Sequence, residues 1–260
     1  MIAYGIVGLG RIGTRLASRL PGLAAVLVRP AQADVAAAEV GAAVVCTTLE
    51  AFTAHKPSVA VECASAGALA ELGPRLLAAG IDLVPLSLTA FADRDIECRL
   101  MAAATAGPGR LEIAPGAIGT LDLLATARED GLSRVVYRQL KSPAMWQLTP
   151  AAKLVDLTAI ASRHVFFKGS VRTLAQQFPD NLNSSVGVAL AGLGLDATEA
   201  ELVADSALSE TAHELEVHAS PGMAMLRLGG RDVTPDGDPV DYTTFSLMRV
   251  LRRRQARVMI

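Results

Sequence analysis

Residues Ala3-Tyr4-Gly5-Ile6-Val7-Gly8-Leu9-Gly10-Arg11-Ile12-Gly13 constrain this chain more than any other stretch. An apolar run from Ile2 to Val7 reads as a strand. Gly8, Gly10 and Gly13 follow in the spacing G-x-G-x-x-G, and Arg11 to Leu20 has helical composition. A strand, a tight glycine turn and a helix form the order that a dinucleotide pyrophosphate requires. Gly8 permits the turn, Gly10 lets backbone approach phosphate, and Gly13 lets the helix pack against the strand. The helix N-terminus, with Arg11 and Ile12, presents N–H groups and a partial positive charge to an anion. A glycine turn without a ligand is the alternative to a nucleotide site.

Alternation of strands and helices continues. Leu23 to Val28, Gly41 to Thr47, Ser58 to Cys63 and Ile81 to Leu88 read as strands; Leu69 to Ala79 and Asp93 to Ala106 read as helices. That pattern predicts an α/β fold with a Rossmann-type, doubly wound parallel sheet. Ligands on such sheets lie at the carboxyl ends of the strands. Ala64 and Ser87 fall at two of those ends and are expected to border a nicotinamide, the alternative being ordinary small-residue turns. The second strand ends in Val28-Arg29-Pro30, and the next acid is Asp34. An acid near this point takes the ribose 2′-OH of NAD. Arg29 suits a 2′-phosphate instead, so NAD or NADP is expected with NADP slightly favoured; the alternative is an exposed strand-end arginine.

Gly107-Pro108-Gly109 marks a domain edge. The expected division is a dinucleotide-binding domain over 1–110 and a second, α+β domain over 111–240. Leu121 to Arg128 reads as a helix, Arg134 to Lys141 as a strand, Leu148 to Ala161 as helical or turn-rich, and Val165 to Ser170 as a strand and turn. Asn183 or a neighbouring serine is placed to cap a helix over Val186 to Leu195. In His213-Glu214-Leu215-Glu216-Val217-His218 strict alternation turns His213 inward and His218 outward, among acids. An inward histidine can be a satisfied core residue or a catalyst. A last apolar segment, Tyr242 to Val250, is followed by Arg252-Arg253-Arg254, cations suited to a helix C-terminus.

The 260 residues suffice for two domains, and a formal net charge of −2 offers no basic surface for nucleic acid. Cys46, Cys63 and Cys98 are odd in number and far apart, which argues against disulfides or a zinc site. No metal is expected, nor is H-E-x-x-H or G-x-S-x-G present. No apolar run reaches the ~18–20 residues that span a bilayer, and a strand pattern opens the chain, so a soluble cytoplasmic protein is expected.

Taken together these residues resemble the L-aspartate dehydrogenase family along most of the chain. The resemblance is carried by Gly8-Leu9-Gly10-Arg11-Ile12-Gly13, Gly116-Ala117-Ile118-Gly119, Lys141-Ser142-Pro143 with Trp146 and Thr149-Pro150, Phe167-Lys168-Gly169-Ser170, Phe178-Pro179-Asp180-Asn181-Leu182-Asn183, and Leu202-Val203-Ala204-Asp205 with His213. It implies NAD(P)-dependent oxidation of L-aspartate to iminoaspartate, which hydrolyses to oxaloacetate and ammonia. It further implies that Ala117 and Asn183 bind the nicotinamide cofactor and that His213 is the catalytic histidine. Lys141, Asn183 and His213 would meet a dicarboxylic amino acid. A homodimer is implied, with residues 241–260 returning to the first domain. Three departures stand out: Pro115 where the family commonly has serine, Ser87-Leu88-Thr89-Ala90-Phe91 in place of Ser-Val-Gly-Ala-Leu, and Asp238-Pro239-Val240-Asp241-Tyr242 in place of Asn-Pro-Lys-Thr-Ser. The absent lysine leaves open another amino or imino acid as substrate. A nucleotide-binding sensor without catalysis is the alternative of a different class.

Overall fold

The computed structural model describes residues 2–178, 182–230 and 242–258. The chain divides into two compact units, Met1–Gly116 with Thr243–Ile260, and Ala117–Tyr242.

The first unit alternates β1 (Tyr4–Val7), α1 (Arg11–Arg19), β2 (Leu23–Leu27), α2 (Ala33–Val40), β3 (Val45–Cys46), α3 (Leu49–Ala54), β4 (Val59–Glu62), α4 (Ala66–Ala78), β5 (Asp82–Pro85) and α5 (Arg94–Ala106). All strand pairings are parallel, in the order β3-β2-β1-β4-β5. The order reverses between β1 and β4, the crevice where doubly wound sheets bind ligands. β1, β4 and β5 are buried at every residue, as expected of strands covered on both faces. Thr48, Ser65 and Asp93 cap α3, α4 and α5 by accepting backbone N–H bonds.

Three local expectations differ from the structure. Only Val45–Cys46 of the stretch 41–47 is strand. Gly41, at φ +88°, ends α2, and one 3₁₀ turn over Ala42–Val44 brings the chain to the sheet edge. α4 begins at Ala66 rather than Leu69 because Ser65 supplies a cap. β5 stops at Pro85, and Leu88–Ala92 forms a 3₁₀ turn.

The second unit contains α6 (Leu121–Arg128), β6 (Arg134–Lys141), α7 (Pro143–Gln147), β7 (His164–Ser170), α8 (Val171–Gln177), α9 (Asn183–Ala191), β8 (Glu199–Ala204), β9 (Ala212–Ala219) and β10 (Gly222–Gly229). Short 3₁₀ turns occupy much of 148–161. The sheet is mixed, in the order β10-β9-β6-β8-β7, with only β6 and β8 parallel. The unit is therefore α+β.

Alternation gives this sheet two chemically different faces. One carries Tyr137, Leu202 and Leu215, all buried. The other carries Glu214, Glu216 and His218, as their spacing predicts, yet it is not simply solvated. Arg134 bonds Glu199 at 2.7 Å and Glu216 at 2.9 Å, Arg138 bonds Glu201 at 2.6 Å, and Arg163 bonds Glu214 at 2.7 Å. Glu201 and Glu214 are buried beneath these cross-strand pairs.

The chain closes with α10 (Tyr242–Arg253). Its Leu247, Met248, Val250 and Leu251 join Tyr4, Ile6, Leu16 and Val26 in the core of the first unit. Arg254, just past its end, bonds Asp82 and Glu112. Ser246 Oγ accepts the Gly116 N–H at 2.9 Å.

Candidate functional site

In the first unit the glycine motif lies between β1 and α1. Gly8 has φ +87°, a conformation that disfavours side chains, and a Cβ there would sit 2.7 Å from the Ala64 Cβ. A Cβ on Gly13 would lie 2.5 Å from the Gly8 carbonyl oxygen, so glycine is what allows α1 to pack against the turn. Gly10 differs. It has φ −87° and ψ −167°, and a Cβ there would meet nothing within 4 Å. No crowding among the described residues explains that glycine, and the open space beside it has room for a ligand.

The N-terminus of α1 fits the same ligand. Its N-cap, Gly10, provides no side-chain bond, and its first turn contains no acid. α3, α4 and α5 are closed by their own caps, and α2 has Asp34 in its first turn. α1 has neither a side-chain cap nor an acid in its first turn, which suits the positive end of its dipole to an external anion. Exposed Arg11 and half-buried Ile12 form its first residues. The residues present therefore fit a dinucleotide pyrophosphate.

Arg29 follows β2, exposed, with Nε 3.3 Å from the Gln32 side-chain oxygen. Ala64 is exposed two residues after β4, and Ser87 is half-buried after β5. Gly8, Arg29, Ala64 and Ser87 thus share the carboxyl edge of one parallel sheet. One acid joins them that the sequence reading passed over. Glu62, the last residue of β4, is buried and accepts bonds from the loops after β4 and β5. A lone acid closing the apolar run Val59-Ala60-Val61 was the available signal.

In the second unit His213 stands at the start of β9. The register pairs it with Gln139 of β6 and Leu228 of β10. Its Nδ1 lies 2.8 Å from the Tyr137 hydroxyl, and the two ring centroids are 5.9 Å apart. Tyr137 is fully buried, which pushes its phenol well above the ordinary range and keeps it neutral. Alternation along β6 puts Tyr137, Gln139 and Lys141 on one face. Gln139 is buried, and its side-chain oxygen has no hydrogen-bond partner among the described residues. The Lys141 ammonium rests over the Trp146 ring, 4.9 Å from its centroid. Sequence reading selected His213 and Lys141 but missed Tyr137 and Gln139, because the pairing that joins them to His213 spans more than seventy residues.

Ala117 is half-buried in the turn before α6, and Asn183 is the exposed first residue of α9. The capping expectation is corrected here. Leu182 is the N-cap and makes no side-chain bond, while the Ser185 hydroxyl turns back to the Leu182 carbonyl at 2.8 Å. Of the motif 178–183, residues 179–181 lie outside the described residues, as do Asp238 to Asp241. His218 Nε2 lies 2.7 Å from Glu216. No group of three or more His, Cys, Asp or Glu able to hold a metal is found among the described residues. Nor is any helix among them long and apolar enough to cross a membrane.

Known proteins match both units. Residues 122–254 fit the family described as "Aspartate dehydrogenase, C-terminal", and residues 8–114 fit "Homoserine dehydrogenase, NAD binding domain". An L-aspartate dehydrogenase of Serratia proteamaculans is 34% identical over 251 residues, covering 95% of each chain. That of Ruegeria pomeroyi is 35% identical over 260 residues, covering 99% of this chain and 94% of the other. The crystal structure of aspartate dehydrogenase from Thermotoga maritima superposes with a TM-score of 0.80 at 22% identity, covering 100% of this chain and 99% of that one. At that identity the superposition speaks for the fold.

Proposed function

The chain belongs to the L-aspartate dehydrogenase family, and on that premise we propose that it oxidises L-aspartate with NAD or NADP. The observation that carries the cofactor half of this reading is the open space at Gly10 beside the uncapped N-terminus of α1. When bound, the nicotinamide cofactor would supply the hydride acceptor for the Cα–H of aspartate. The amine becomes an imine with release of a proton, and water then converts iminoaspartate to oxaloacetate and ammonia.

The residues of the chain hold, orient and exchange protons. The glycine turn, Arg11, Ile12 and Gly13 take the pyrophosphate, and Ala64 and Ser87 border the nicotinamide. Ala117 and Asn183 are further cofactor-binding residues. Lys141 and Asn183 bind substrate, the lysine through a carboxylate. His213 serves as general acid–base from Nε2, since Nδ1 is engaged by Tyr137. Arg29 favours NADP, as a cation at the end of β2 where no acid follows before Asp34. The protein acts in the cytoplasm as a homodimer. Three unpaired cysteines suit a reducing compartment, and exposed Met223 and Met225 on edge strand β10 suit contact with a second copy.

The test is a spectrophotometric assay of NAD(P)H formation with L-aspartate, and of its consumption with oxaloacetate and ammonium. Turnover in both directions is expected. Cofactor binding without turnover of any amino or oxo acid would replace the enzyme with a sensor, and turnover of a different amino acid alone would replace the substrate.

A further inference from the structure

We propose that Glu62 is a positioning residue for the nicotinamide half of the cofactor: its single carboxylate ties the loop after β4 to the loop after β5 at the edge where that ring must lie. The proposal rests on the reading of the first unit as an NAD(P) site.

Four donors converge on this side chain. Oε1 accepts from the Ala64 N–H at 2.7 Å, the Ser65 N–H at 2.9 Å and the Ser87 hydroxyl at 2.9 Å. Oε2 accepts from the Ser87 N–H at 3.0 Å. Two donors come from each loop, so neither loop can shift without breaking bonds to the same carboxylate. The side chain is 1% exposed, and none of these four partners is a cation. Burial holds its carboxyl above the usual range, and the four bonds offset that only in part. Three backbone N–H groups can only donate, so the arrangement is satisfied in full by the ionised carboxylate.

A buried charge without a counter-ion is costly, and the preceding residues of β4 are apolar. For strand stability alone a valine would serve at this position. A valine could not join two loops. The place of Glu62 also matters. β4 lies beside the reversal of strand order, and the two loops it joins hold Ala64 and Ser87.

Glu62 further separates the two halves of the ligand site. With Ser65 it occupies the N-terminus of α4, so a phosphate there would meet a carboxylate, and anion binding is left to α1. The glycine turn is held from the other side, through the Gly8 N–H to the Leu27 carbonyl at 2.8 Å. Loss of Glu62 should therefore disturb the nicotinamide rim and spare the pyrophosphate turn.

The experiment compares binding of NADH and NADPH with binding of ADP-ribose, which lacks the nicotinamide, to the full chain and its variants. Glu62→Gln keeps the shape but turns an NH₂ toward at least one of the four donors. Its affinity for the reduced cofactors should fall about tenfold or more, the scale of one hydrogen bond to a charged group, with ADP-ribose affinity unchanged. In turnover, KM for the cofactor should rise by more than kcat falls. Parallel loss of both ligands, or loss of neither, would overturn the assignment and leave Glu62 a purely structural residue. Should Glu62→Gln not fold, Glu62→Asp decides: it keeps the charge on a side chain one methylene too short to reach both loops and should weaken NADH without weakening ADP-ribose, and equal binding of NADH would overturn the proposal. A wild-type protein that binds neither NADH nor NADPH would instead overturn the cofactor reading itself.

Discussion

The Tyr137 hydroxyl lies 2.8 Å from Nδ1 of His213, across neighbouring strands, and the phenol is fully buried. A neutral phenol can donate to Nδ1 or accept from it. A base at Nε2 requires the proton on Nδ1, hence a bond from Nδ1–H to the phenol oxygen. Tyr137→Phe is expected to lower kcat about tenfold, the scale of one such bond, with little change in cofactor affinity. An unchanged kcat would show that the phenol does not orient the imidazole.

His213 and His218 share a strand but not a face. We expect His213→Ala to lower kcat by about 10²-fold or more, the usual scale for general acid–base catalysis, with little change in NAD(P) affinity. His218, paired with Glu216 on the opposite face, should be replaceable by alanine with near-normal kcat. Equal, small effects in two folded variants would return His213 to the core.

The glycines of the motif should separate by cause. Gly10→Ala introduces a methyl into open space at an ordinary backbone angle, so thermal unfolding should be unchanged while cofactor affinity falls about tenfold or more, as contact with the phosphate is blocked. Gly13→Ala forces a methyl to within 2.5 Å of the Gly8 carbonyl, and overpacking of this kind costs about 1–3 kcal/mol of stability. Calorimetry and cofactor titration on both variants check the pair. Undiminished binding in Gly10→Ala would remove the phosphate from that space.

NADP is expected to bind at least as tightly as NAD. Arg29→Ala should weaken NADP about tenfold, the value of a hydrogen bond to a charged group, and leave NAD unchanged. A clear preference for NAD that survives the substitution would show Arg29 to be an exposed strand-end residue only.

Arg254 ties the end of the terminal helix to Asp82 and Glu112. Burial raises the Asp82 carboxyl, but bonds from Arg254 and Arg110 outweigh it and hold it below the usual carboxylate range. A lowered folded-state value stabilises the protein above the unfolded value of about 3.9, and this contribution is lost as pH falls toward the folded value. Arg254→Met should cost about 2 kcal/mol near neutrality and should reduce the fall in Tm between neutral and strongly acidic pH. An unchanged acid dependence would mean that Asp82 is held by Arg110 alone.

The sequence by itself determined the elements whose signals are local. The apolar runs at Tyr4–Val7 and Leu23–Leu27, the spacing of Gly8, Gly10 and Gly13, and the alternation over Arg134–Lys141 all report short-range sterics and burial, and the structure has strands and a glycine turn there. The faces of β9 were legible for the same reason, since successive residues of a strand must point opposite ways. Local reading failed where a short-range competitor won, as at Gly41 and Ser65, where one left-handed residue and one cap moved the ends of elements.

Only the tertiary structure decided which partners meet. Tyr137 reaches His213 through the register of β6 with β9, and Glu62 reaches Ser87 because β4 and β5 are neighbours in a parallel sheet. The acids of β9 looked solvent-facing until the arginines of β6 and of the chain before β7 were laid over them. These choices come from pairing between distant segments, set by how much apolar surface the whole sheet buries. No window of neighbouring residues contains that quantity, and so spacing could turn His213 inward and mark the glycine turn but could not name the residues that His213 and the turn meet.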